Sequence, residues 1–164
     1  MADFEVKVED AEVLTALKRL INLGKNMEPA MGDIAAIGEN SVHIRFRTGT
    51  APDGSRWKPS LRAQINGGKT LIKDAHLVQS TSSNHGRDYA EWGVNRPDYA
   101  AIHQFGGTIK PKSTGGLRFK LANGAFVTAR QVNMPARPFL GVSDTDKSDI
   151  LDAIESRIRG ATWK

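Results

Sequence analysis

The chain predicts an α+β fold, with an antiparallel sheet of four to five strands carrying helices on one face. Three observations lead there. Apolar residues recur at helical spacing in two early segments and one at the end. Short apolar runs between them flank Asn-Gly and Asn-His-Gly, residues that turn a hairpin. Neither an internal repeat nor a low-complexity tract divides the 164 residues, so residues 1–164 read as one domain.

In order along the chain, Phe4, Val6 and Val8 alternate with Glu5, Lys7 and Glu9, the period of a half-buried strand. Asp10 is placed to cap a helix carrying Val13, Leu14, Leu17, Leu20 and Ile21, with Gly24 as its stop. A second helix starts near Pro29. Met27, Ala30, Met31, Ile34, Ile37, Ser41 and Val42 form its inner stripe, which fades toward Phe46. The short link around Asn26 predicts an antiparallel pair of helices.

Residues 48–68 contain Gly49, Pro52-Asp53-Gly54, Pro59 and Gly67-Gly68. They read as a flexible loop pinned by Trp57 after a tight turn. Leu71, Ile72, Ala75, Leu77 and Val78 suggest a short helix or an extended segment. Ser80–Ser83 and Tyr89–Val94 flank Asn84-His85-Gly86 as a hairpin. A short helix follows from Pro97 to Phe105 and stops at Gly106-Gly107. Residues 108–116 read as a second flexible, basic loop. Leu117–Leu121 and Ala125–Val132 form a hairpin about Asn123-Gly124. Met134–Leu140 is held extended by Pro135 and Pro138. In the last helix Ser143 and Asp146 make a capping box, and Ile150, Leu151, Ile154 and Ile158 form the apolar stripe.

Composition excludes several chemistries. With no cysteine there is no disulfide, zinc–thiolate site, iron–sulfur cluster or thiol nucleophile. Its absence also suits a reducing cytoplasm. The beginning MADFEVKVED is not a secretory signal, and no run approaches the roughly 18 apolar residues of a membrane span, so a soluble chain is expected.

The four histidines, His43, His76, His85 and His103, lack the spacing of a helical metal site, and no G-x-S-x-G elbow is present. Gly67-Gly68-Lys69-Thr70 matches only the tail of a phosphate-binding loop, because the stretch before it, Arg62-Ala63-Gln64-Ile65-Asn66, lacks the earlier glycine. The residues therefore predict no catalytic centre, cofactor or metal, and no enzyme. The formal charge is +5, but Lys18/Arg19, Arg45/Arg47, Arg56/Lys58 and Arg157/Arg159 are dispersed among acids. That favours solvated surface, with weak contact to nucleic acid as the alternative.

Four segments in order carry a resemblance. They are Ala51-Pro52-Asp53-Gly54-Ser55-Arg56-Trp57, Leu71–Ser80, Tyr99-Ala100-Ala101-Ile102-His103-Gln104-Phe105-Gly106-Gly107, and Met134-Pro135-Ala136-Arg137-Pro138-Phe139-Leu140-Gly141. Together they resemble the phage virion morphogenesis family, which includes tail-completion proteins of myophages and their counterparts in Mu-like phages. The likeness spans roughly residues 40–160. One departure is Ala75 in Asp74-Ala75-His76-Leu77, where the family often has the glycine of T-G-x-L-x-x-S.

The resemblance implies a structural virion protein with a fold like tail terminators and neck proteins, acting at the neck or tail top after assembly in the host cytoplasm. It implies a ring of identical subunits, often sixfold, that meets the tail tube and the head–tail connector. A tail-length terminator and a basic DNA-contacting neck or packaging factor are the alternatives. A cell-wall or nucleic-acid hydrolase lacks any supporting constellation.

The residues expected at subunit or partner interfaces are Trp57, Tyr99, His103, Gln104, Phe105, Arg137 and Phe139. The polar face of the Tyr99–Phe105 helix would meet a neighbour while Ile102 and Phe105 pack inward, or all would simply seat the helix on the sheet. Arg137 would offer a planar fork to a partner's carboxylate, or pair within its own subunit. Loops 48–68 and 108–116 would become ordered on docking.

Overall fold

The computed structural model describes residues 11–95, 97–121 and 123–162. The strand expected at Phe4–Val8 and the Asp10 cap lie outside them. Helix α1 spans Ala11–Lys25, α2 Glu28–Thr48, α3 Leu61–Asn66, α4 His76–Gln79, α5 Pro97–Phe105 and α6 Asp144–Thr162. The strands are β1 Thr81–His85, β2 Ala90–Val94, β3 Gly107–Ile109, β4 Leu117–Lys120, β5 Phe126–Ala129 and β6 Val132–Met134.

Helix α2 organises the rest. Pro29 lies in its first turn, and Gly49 ends it at φ 71°, donating its N–H to Arg45 O at 2.7 Å. Its buried positions are Ala30, Ala35, Gly38, Ser41, Val42, Arg45 and Phe46. The small residues among them let other backbones approach. The β1–β2 hairpin lies on α2, and Trp92 of β2 occupies the space a Cβ on Gly38 would need.

Helix α6 packs along α2 as well, and α1 rests mainly on α6. This replaces the expected antiparallel pairing of the first two helices. The inner stripe of α2 is already covered by α6 and the hairpin, so α1 takes an outer position with none of its residues buried. Val13, Leu14, Leu17 and Ile21 stay 44–56 % exposed.

The α+β class holds, and the strand pairings among the described residues are antiparallel. The described strands form three two-stranded sheets, β1–β2, β3–β6 and β4–β5, in place of one sheet of four to five strands. The cause is strand length. Turn residues cut the chain into runs of three to five residues, and each run pairs with a neighbour rather than extending a common sheet. The Asn123-Gly124 hairpin forms as expected, with Lys120 opposite Phe126. The other hairpin turns two residues later than its sequence suggests. Asn84 and His85 remain in β1, and Gly86 donates its N–H to Tyr89 O at 3.0 Å.

Both segments read as loops contain regular structure. Within 48–68, Thr50 bridges Arg56 around the Pro52-Asp53-Gly54 turn. Ser60 then caps α3, accepting from Ala63 N at 3.2 Å. The segment 108–116 begins inside β3, which pairs with β6.

Val42, Phe46, Ala51, Trp57, Leu77, Ala100 and Phe139 make the core. Phe46 meets Trp57 edge-on at 5.7 Å between ring centroids and Phe139 at 5.2 Å.

Candidate functional site

The extended segment Met134–Gly141 runs past the core and joins two of the other three motif segments, those of Trp57 and of Tyr99–Gly107. Trp57 donates its indole N–H to Pro138 O at 2.8 Å. Gln104 accepts from both Phe139 N and Leu140 N at 3.0 Å and donates to Leu140 O at 3.0 Å, so its amide acts as a strand partner for Phe139 and Leu140, beyond the end of β6. Arg137 N donates to His103 O at 2.7 Å. Gly106 lies at φ 69°, and a Cβ there would sit 2.7 Å from Ala136 N. Only glycine allows α5 to end against this backbone.

On the other side, Arg45 donates to Phe139 O at 3.1 Å and Gly141 O at 2.9 Å and pairs with Asp146. Ser143 and Asp146 form the predicted capping box, with Ser143 N to Asp146 Oδ2 at 2.7 Å and Asp146 N to Ser143 Oγ at 3.1 Å. Ser41 also donates to Asp146. Sequence reasoning assigns Asp146 only the cap and places Arg45 among surface charges. The signal it misses is spacing: Arg45 falls three and four residues after Val42 and Ser41, on the buried stripe.

The seven expected interface residues therefore divide. Trp57 and Phe139 are core residues, 6 % and 0 % exposed, and Gln104 is engaged within the chain. Phe105 does not pack inward, being 79 % exposed. Its position on the last turn of α5, just before Gly106, directs it away from the core that receives Ala100.

Tyr99, His103 and Arg137 line one cleft of about 830 Å³, bounded also by Lys58, Leu61 and Met134. Arg137 is 4 % exposed and donates from Nε to Lys58 O at 2.8 Å. No carboxylate among the described residues forms an ion pair with it. Asp74, the one acid among the described residues that line the cleft, instead pairs with Lys73 at 3.7 Å. Burial pulls the Arg137 pKa below its ordinary value. Burial, and then the charge of Arg137, lower that of His103 and favour a neutral imidazole. His103 Nδ1 is buried without a hydrogen-bond partner. The site can thus receive an oxyanion. Among the described residues, no group of three or more His, Asp or Glu could hold a metal, and no helix is long and apolar enough to cross a membrane.

A second feature also escapes the charge reading. From Tyr99 to Ser143 the sequence has no acidic residue and six lysines and arginines. Two of these, Arg118 and Lys120, flank the exposed ring of Phe126 on the β4–β5 hairpin, at 5.2 and 6.0 Å from its centroid.

Three separated motif segments thus meet beside one cationic cleft. The chain belongs to the phage virion morphogenesis family, whose model matches residues 8–159. It is 34 % identical over 152 residues to "Mu-like prophage FluMu G protein 2" of Haemophilus influenzae, covering 92 % of this chain and 93 % of that protein. It is 33 % identical over 94 residues to "Putative capsid assembly protein G" of Escherichia phage Mu, covering 57 % of this chain and 49 % of that one. No solved structure matches the chain.

Proposed function

We propose that this phage assembly protein completes the tail and joins it to the head, as one subunit of a closed ring, sixfold in the simplest case, at the neck or tail top. The tail tube and head–tail connector are its partners. The observation that carries this reading is the buried Arg137 guanidinium, open to a cleft and without an ion-pairing acid among the described residues. A buried charge left unpaired is destabilising, and a docking partner's carboxylate offsets that. The exposed Phe105, at the end of α5, supplies apolar area. The relatives' names, one of which refers to capsid assembly, support a morphogenetic role.

The test is electron microscopy of lysates from phage lacking this gene. Filled heads beside separate tails of normal length are expected. Tails of variable length would make the protein a length terminator, and intact joined particles would refute the proposal.

A basic neck factor that touches the genome is the second reading, favoured by the acid-free run from Tyr99 to Ser143. It requires DNA affinity that falls steeply with salt. Removing Arg118 and Lys120 together should reduce the salt slope by about 2, near 0.9 for each phosphate that is no longer neutralised. A slope that does not change would remove this reading.

A further inference from the structure

We infer that the cleft around Arg137 receives the acidic face of α6 from a second copy of this chain, joining subunits head to tail. This rests on the ring-assembly reading and specifies its contact.

The cleft side is built and incomplete. Arg137 is 4 % exposed, yet among the described residues its side chain makes one hydrogen bond to protein, from Nε to Lys58 O. The two terminal nitrogens of a guanidinium form a fork that matches one carboxylate. His103 Nδ1, on the same cleft, is a buried polar atom without a hydrogen-bond partner. Buried polar atoms are paired as a rule, so this orphan, beside a guanidinium whose terminal nitrogens make no hydrogen bond to the described residues, points to a group that enters the cleft. Lys58 stands exposed at the same cleft, and Leu61 offers a 63 % exposed apolar wall.

The α6 side supplies what the cleft lacks. Its acids are Asp144, Asp146, Asp149, Asp152 and Glu155. Asp144 pairs with Lys147, Glu155 with Arg159, and Asp146 with Arg45. Asp149 and Asp152 are exposed and have no ion pair among the described residues. Three positions apart on a helix, they share one face. The chain thus presents an unpaired cationic cleft on one surface and an unpaired acidic face on another.

Contact between two different surfaces is heterologous and closes into a ring when the rotation permits. One segment links both surfaces. Met134–Gly141 carries Arg137, and its Phe139 and Gly141 carbonyls hold Arg45, which holds Asp146 at the start of α6. The angle between the two contact surfaces is therefore set by the buried network rather than by a loop.

The experiment is sedimentation analysis over a range of concentrations on the full chain, on Arg137→Gln, and on Asp149→Asn with Asp152→Asn. Loss of one partner of a desolvated charge pair costs at least about 2 kcal/mol, or roughly 30-fold in association. Each variant should lose self-association by that factor. A mixture of the two should form heterodimers, through the one cleft and one helix left intact, and nothing larger. The α6 substitutions are at exposed positions, so the α6 arm stands even if Arg137→Gln fails to fold.

Unchanged assembly of the α6 variant would overturn the inference. So would inorganic phosphate raising the melting temperature through Arg137 while assembly ignores α6, because the cleft would then be a site for a free anion. A wild-type chain that stays monomeric at every concentration also overturns it. The virion-assembly reading would then still stand or fall on the particle phenotype.

Discussion

Asp146 accepts hydrogen bonds from the Ser143 amide, just before its own helix, and from Ser41 and Arg45, one turn apart on α2. Burial opposes its ionisation. The Ser143 and Ser41 hydrogen bonds and the Arg45 charge outweigh burial and hold its carboxyl below the usual value. Replacing it by asparagine leaves Arg45 buried without its counter-charge. The Asp146→Asn variant should be less stable by about 3 kcal/mol in urea unfolding, the lower end for a broken buried pair. The pH dependence has a definite sign. A depressed folded-state pKa stabilises the fold fully above the unfolded value of about 3.9 and loses that contribution as pH falls through the folded value. The gap between wild type and variant should be constant above about pH 5 and close as the solution is acidified below about pH 4. A gap that persists unchanged in acid would mean that Asp146 acts through shape rather than charge.

At the scale of elements, glycine and alanine positions decide how helices are approached and ended. In α2, Gly38 faces the ring of Trp92. Alanine has the better helix propensity, by about 1 kcal/mol. Its methyl would overlap a ring held by the β1–β2 hairpin, and overpacking costs typically about 1–3 kcal/mol. Gly38→Ala should therefore lower stability by about 1 kcal/mol, whereas the same change at Gly24, which faces open space, should not. Comparison of the two melting temperatures separates packing from propensity.

Ala75 is the converse case. It precedes α4 with φ 58°, the left-handed region, at the position where the resemblance leads one to expect glycine. A left-handed alanine is strained by about 1–2 kcal/mol. Glycine relieves that strain but frees the unfolded chain by about 0.4–1 kcal/mol. Ala75→Gly should raise stability by about 0.5–1 kcal/mol, and a lower melting temperature would show that the turn prefers a side chain.

These positions also show what is legible in sequence. The Asn123-Gly124 hairpin and the Ser143/Asp146 cap depend on neighbours along the chain and can be read from it. The α2 stripe is legible only at Ala30, Ser41 and Val42, since Ala35, Gly38, Arg45 and Phe46 are buried while Met31, Ile34 and Ile37 are only partly so. The grouping of strands, the outer seat of α1 and the Arg45–Asp146 pair depend on residues far apart, and no local period encodes them. The motif residues are legible as a set but not by role. A buried Trp57 or a bridging Gln104 looks in sequence like an exposed docking group, and Phe105 at 79 % exposure looks like a core residue.

For the whole molecule, the distribution of charge and exposed apolar area separates folding from assembly. The core aromatics Phe46, Trp57 and Phe139 are 6 % exposed or less, whereas Phe105 leaves its ring in solvent. An exposed phenylalanine contributes little to folding, since its apolar surface is hydrated in both states. On docking, covering such a ring is worth about 1.5–3 kcal/mol, enough to change assembly by at least about tenfold. Phe105→Ser should leave stability within about 0.5 kcal/mol of wild type, as at surface positions generally. Particles made with it should show heads and tails that fail to join, or join in a much smaller fraction. Gly106, one residue later, should behave oppositely. Its Cβ would strike the Ala136 and Met134 backbone, so Gly106→Ala should destabilise the fold itself. If Phe105→Ser lowered the melting temperature as Gly106→Ala does, α5 would be serving the fold alone, and the partner surface would have to lie on the β4–β5 hairpin or on α6.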